Sequence, residues 1–197
     1  MNDSHPPRIE KVFQILILDG PIDTSRFTKS LHRNITSLKT LYPAATYELY
    51  DDARIRAFLS DRFEPEVLET YDLLSPFAYK ADLARYCLLH EFGGLYSDLS
   101  YLHMNAINPD DKTDLVTFSD IPRIHPPWST SNAIIYARPR TPALARAIAQ
   151  IVENGRKRYY GLSPLDPTGP YLFGRVLGAE DDWGKMIFGE SQVLGRD

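Results

Sequence analysis

The chain has 197 residues, 43% hydrophobic and 24% charged, a balance that excludes a disordered polar tract and suffices for one domain with its own core. A formal net charge of −4 argues against a general nucleic-acid binder, whose binding face needs a basic surplus. The single cysteine, Cys87, excludes an intrachain disulfide, and its neighbours Tyr86, Leu88 and Leu89 predict a buried thiol.

Residues 1–10 are polar and proline-containing and read as a flexible tail, without the charged-then-apolar layout of a signal peptide. No apolar run approaches the roughly 18 residues of a membrane span, and a cytoplasmic location is the expectation. "KVFQILILDG", Lys11 to Gly20, is an apolar run stopped by Asp-Gly-Pro and predicts a buried strand of a parallel sheet. Phe27, Leu31, Ile35 and Leu38 have helical spacing and predict a helix over 24–41. "TYELY", Thr46 to Tyr50, alternates as a strand, and "DDARIRAFLSDRF" follows as a helix capped by Asp51 or Asp52. The next helix opens at Ser75, the expected N-cap, with Pro76 in first helical position, and stops at Gly93 and Gly94. Strand "LYSDL" comes directly after it. "DLVTFS", Asp114 to Ser119, and "NAIIYAR", Asn132 to Arg138, read as further strands. Thr141 and Pro142 open a last helix closed by Gly155. The Gly- and Pro-rich stretch 161–197 reads as a cover over one face of the site. Strands alternating with helices predict one α/β domain over 11–197, with a mostly parallel central sheet flanked by helices.

Ligands of open α/β sheets sit beyond the carboxyl ends of the strands, which is where Asp98 falls. Asp82 and Arg85, three apart, are neighbours on one helical face. The residues alone allow both a surface ion pair and a ligand-binding pair, since a carboxylate beside a guanidinium suits sugar hydroxyls and phosphate oxygens.

"AYKADLARYCLLHEFGGLYSDLSYL" resembles the signature of the DXD-motif sugar transferases of glycosyltransferase family 32, and is similar to the core of the clostridial toxin glucosyltransferases. The matching positions are Ala81, Asp82, Arg85, Leu88, Gly93, Gly94, Tyr96 and Asp98. Weaker matches in "YPAATYELYDDARIRAFL", "NAIIYARPRTPAL" and "TGPYLF" extend the resemblance over roughly residues 10–175. It implies a GT-A-like, Rossmann-like fold, a nucleotide-sugar donor, and a divalent metal, Mn²⁺ or Mg²⁺. It further implies a glycan or lipid-linked acceptor, retaining transfer, and a place in surface polysaccharide synthesis, with peripheral membrane contact left open. By this resemblance Asp98 contacts the donor ribose and the metal, and Asp82 accepts from sugar hydroxyls. Arg85 binds the sugar or diphosphate, and Tyr96 joins the donor site.

The chain departs from the pattern at Ser100, where the second aspartate of the motif is expected. A metal would then be held by Asp98, Ser100, diphosphate and water, or gain a carboxylate from Asp120, Asp166 or Glu190, or the chain would transfer poorly or not at all. The first strand lacks the Ile-His-Gln-x-Trp of many relatives, and "FGESQVLGRD" lacks their His-rich close. A non-catalytic nucleotide-sugar binder and a protein-modifying toxin-like transferase are the alternatives. His103, His125, Trp128 and "RKRYY", Arg156 to Tyr160, are weighed as site residues against structural or solvated roles.

Overall fold

The computed structural model describes residues 9–121, 124–179 and 186–190. In chain order the elements are β1 (Lys11–Ile15), a 3₁₀ turn (Thr24–Arg26), α1 (Lys29–Leu41), β2 (Thr46–Tyr50), α2 (Asp52–Arg62), α3 (Pro65–Leu73), α4 (Phe77–Phe92), β3 (Gly94–Ser97), β4 (Leu115–Ser119), β5 (Thr130–Ala137), α5 (Pro142–Arg156), α6 (Pro170–Gly178) and β6 (Met186–Gly189). Among the described residues no helix is long and apolar enough to cross a membrane.

The strands form one six-stranded sheet in the order β2-β1-β3-β5-β4-β6. β1 runs parallel to β2 and β3, and β4 to β6, while β5 opposes both neighbours. The carboxyl ends of five strands and the start of β5 therefore meet at one edge. α4 enters β3 through the two-glycine turn, so its amino end stands at that edge too. Side-chain alternation along the strands divides the core. Phe13, Tyr96, Leu115 and Ile135 face helices α2 to α6, and Val12, Leu95, Val116 and Tyr136 face Leu38 and Tyr42 of the α1 side.

Several boundaries differ from the sequence expectation. The single helix over 24–41 is broken at Phe27, because the Thr28 hydroxyl accepts from Leu31 N and starts α1 afresh. α4 begins one residue later than expected: Pro76 is its N-cap, and Ser75 makes no capping bond. α5 passes through Gly155 and ends at Arg156. α3 was not expected. The stretch read as a cover supplies α6 and the edge strand β6; its residues 180–185 and 191–197 lie outside the described residues. Of the expected tail, 1–8 lie outside them, while Ile9 is buried and the Glu10 carbonyl accepts from Thr46 N at 2.8 Å.

Candidate active site

The turn into β3 depends on both glycines. Gly93 closes α4 at φ 64°, its N–H donating to the Leu89 carbonyl at 2.8 Å, and Gly94 follows at φ 102°. A Cβ on Gly94 would stand 2.5 Å from the Lys11 carbonyl oxygen, so only glycine lets β3 lie this close to β1. This close packing delivers Tyr96 and Asp98 to the ligand edge beside the buried face of α4.

On that face Asp82 and Arg85 are buried. The Asp82 Oδ1 accepts from Asn132 Nδ2 at 2.8 Å and pairs with the Arg85 guanidinium at 3.0 Å, and its Oδ2 accepts from the Thr168 hydroxyl at 2.7 Å. Burial pushes the Asp82 carboxyl above its ordinary pKa, against the opposing pull of Arg85 and Thr168. Arg85 donates to the carbonyls of Asn132 at 2.7 Å and Ala81 at 3.2 Å and reaches Asp98 Oδ1 at 3.3 Å. Burial opposes its charge, but Asp98, Tyr96 and Asp82 outweigh that and hold it firmly protonated. The Tyr96 hydroxyl donates to the same Asp98 oxygen at 2.5 Å, and the guanidinium lies over the Tyr96 ring at 4.6 Å. Asp98 is the outward end of this chain of charges: its side chain is 33% exposed against 6% for Arg85.

The turn beyond is held from below. Asn34 of α1 donates to the Leu99 carbonyl at 3.0 Å. The Asp98 N–H donates to the Ala133 carbonyl at 2.8 Å. Ser97 Oγ meets His103 Nε2 at 2.7 Å, and His103 N donates to Ser37 Oγ at 3.0 Å. His103 is thus half-buried in the support of the turn.

The structure brings Asp82, Arg85, Tyr96 and Asp98 into one network and sets Ser100 exposed on the next turn. Among the described residues no group of three or more His, Cys, Asp or Glu is placed to hold a metal. None of the alternative carboxylates belongs to such a group among the described residues. Asp120 takes His125 Nδ1 and the Ser129 hydroxyl, each at 2.6 Å. Asp166 binds Arg175 and accepts from Leu162 N, and Glu190 is exposed after β6. His125 and Trp128 pack on Tyr171, with ring centroids at 5.9 and 5.0 Å. Asn132 and Thr168, which satisfy Asp82, are not among the expected site residues, although each opens a stretch of the weaker resemblance, "NAIIYARPRTPAL" and "TGPYLF". A separate cleft of about 510 Å³ lies at the ends of β1 and β2, between Asp19, Asp51 and Lys80.

The sheet, parallel but for one opposed strand, and its flanking helices give the chain a GT-A-like fold. Residues 28–114, less than half of the chain, match the family described as the glycosyltransferase sugar-binding region containing the DXD motif. The match includes Asp82 to Ser100 and stops short of Asn132 and Thr168. An uncharacterized glycosyltransferase of Acanthamoeba polyphaga mimivirus is 52% identical over 52 residues, 26% of this chain and 21% of that protein. The match thus spans about a fifth of the viral protein. Among solved structures, the PaToxG glycosyltransferase superposes with TM-score 0.65 at 15% identity, over 87% of this chain and 69% of that one. The UDP-bound glycosyltransferase domain of the YGT toxin superposes with TM-score 0.50 at 8% identity, over 78% and 54%.

Proposed function

We propose that the chain moves a glycosyl unit from a nucleotide-sugar donor to an acceptor, with the Asp98 turn at the centre of the site. The observation that carries this reading is the Asp82–Arg85–Asp98 network, buried at one end and opening through Asp98 at the edge where α/β sheets take ligands. The fold shared with a UDP-bound toxin domain supports a nucleoside-diphosphate donor. The cleft at the ends of β1 and β2 offers it room, although Lys80, its one cation among the described residues, is paired with Asp52 at 3.8 Å and stands among Asp19, Asp51 and Asp52.

In the transfer the acceptor oxygen bonds the anomeric carbon while the bond from that carbon to the diphosphate breaks. The diphosphate keeps the electron pair and takes the acceptor's proton. Likeness to family 32 supports retaining transfer and surface polysaccharide synthesis in the cytoplasm. The fold shared with toxin domains supports a protein acceptor as the alternative. Arg85 and Tyr96 hold Asp98 through Oδ1, and the side chain is still one-third exposed at 33%. One carboxylate and the Ser100 hydroxyl suit a Mn²⁺ or Mg²⁺ ion shared with the diphosphate and water rather than one caged by protein. Such an ion would be held by Asp98 and Ser100 and would supply neutralisation of the leaving charge.

Donor hydrolysis and transfer in Mn²⁺ should fall about 100-fold or more in Asp98→Ala, the scale expected when a group stabilising developing charge is lost. Turnover unchanged by that substitution removes Asp98 from the reaction. Ser100 favours a second reading, a nucleotide-sugar binder without turnover. Donor binding by wild type without hydrolysis, together with turnover gained in Ser100→Asp, would establish it.

A further inference from the structure

A cleft of about 700 Å³ opens between the α3–α4 corner and the loop after α5. The first turn of α4 separates it from the cleft at the ends of β1 and β2: Phe77 and Lys80 line that one, Pro76 and Tyr79 this one. Thr168 lines it too, and its hydroxyl holds Asp82 Oδ2 at 2.7 Å. The cleft therefore adjoins the charged network through Thr168, with the β1–β2 cleft across the first turn of α4. A transfer site needs two such approaches, one for each substrate.

The wall chemistry is distinctive. No carboxylate appears among the described lining residues, while Arg156 and Arg158 both do. Arg156 is neutralised by Glu153 at 2.7 Å, but among the described residues Arg158 has no ion pair. Arg158 also sits at φ 51°, a left-handed conformation uncommon outside glycine. The corner is pinned by hydrogen bonds from Arg158 N to the Gly155 carbonyl at 3.1 Å and from Tyr159 N to the Asn154 carbonyl at 2.8 Å. The buried Asn154 side chain in turn donates to the Pro167 carbonyl at 2.8 Å. A free guanidinium is thus presented by a built corner, not by a frayed helix end. Beside it Leu73 is 72% and Tyr160 75% exposed, with Tyr159 at 43%, over an Ile151 floor. Large apolar groups this exposed and this close together fit a hydrophobic ligand.

We infer that this cleft binds a lipid phosphate, the head of a lipid-linked acceptor. Arg158 meets the phosphate as a fork of donors, and Leu73, Tyr159 and Tyr160 cover the first groups of the tail. The inference rests on the transfer reading of the Asp98 site and specifies the acceptor class for it.

The test is titration of the full chain with dodecyl phosphate below its micelle concentration, followed by calorimetry, beside inorganic phosphate and dodecanol. Wild type should bind dodecyl phosphate at least tenfold more tightly than either control. Arg158→Asn, which tolerates the left-handed corner, should lose about tenfold, and Tyr160→Ser several-fold, with unchanged thermal melting. UDP binding should be unchanged in both variants. Equal binding of dodecyl phosphate by wild type and Arg158→Asn overturns the assignment, as does binding of a phosphopeptide in place of the lipid. Dodecyl phosphate binding that survives in a chain unable to bind UDP would sink the transfer reading and leave the cleft assignment standing.

Discussion

Asp82 shows how a buried carboxylate is made tolerable. A lone ionised group at this depth costs several kcal/mol, more than any single contact returns. Here both oxygens are engaged, by Asn132 and Arg85 on one and Thr168 on the other. Removing a donor leaves an acceptor buried without its partner. Asn132→Ala should therefore cost about 1–3 kcal/mol in urea unfolding, and it also removes the hydrogen bond that Asn132 Nδ2 donates to the Tyr86 hydroxyl. An Asn132→Ala protein as stable as wild type would show that water replaces the amide. His103 gives a pH test with a definite sign. Burial holds its imidazole below the ordinary value, so in the window from about 6.5 down to the folded value the unfolded chain binds more protons. The stability this site contributes is present above about 6.5 and is lost as the pH falls through the folded value. Wild type should lose stability relative to His103→Gln over that descent, read by thermal melting between pH 7 and pH 5. Parallel profiles for the two proteins would contradict this account.

At the scale of elements the Gly93–Gly94 turn decides whether α4 and β3 can share the site. Gly94→Ala combines a strained φ with a Cβ set against the Lys11 carbonyl, so it should destabilise by more than about 1 kcal/mol and lower donor binding with it. Stable folding with intact donor binding would mean that β3 can shift without loss. Elements with a local period or stop signal were legible: β2 over Thr46–Tyr50 and the end of α4 fall where the sequence puts them. α3 was missed although Pro65 stands in first helical position and the buried Val67, Thr70 and Tyr71 follow helical spacing, because nine residues give the period little length to declare itself. α6 and β6 were missed because both are short and glycine-bearing. The opposed direction of β5 follows from the length of its connection. Only the 120–129 segment joins it to β4, too little for the crossover a parallel neighbour needs. The site was legible as far as the signature reaches. Asn132 and Thr168 stand 50 and 86 residues from Asp82, a separation that no local pattern encodes.

For the molecule as a whole, the sheet is one plane whose two faces belong to two apolar clusters. Val12 and Phe13 are adjacent in β1 yet lie in different clusters, and Phe13 stands in register with Tyr96 of β3. A slip of one residue in β1 would exchange the two faces, so packing on both sides fixes the register that carries Asp98 to the edge. Such a sheet should unfold as one unit, because neither cluster can be exposed without stripping strands from the other. Phe13→Ala should cost about 3–5 kcal/mol and Val12→Ala less, with both lowering the same transition. Far-UV circular dichroism reports the sheet and helices, and tryptophan fluorescence includes Trp128 in the loop before β5. Coincident curves in both variants are expected. If fluorescence changes at a lower denaturant concentration than dichroism, the loop that carries Trp128 opens before the sheet, and its packing on Tyr171 is local and not part of the cooperative unit.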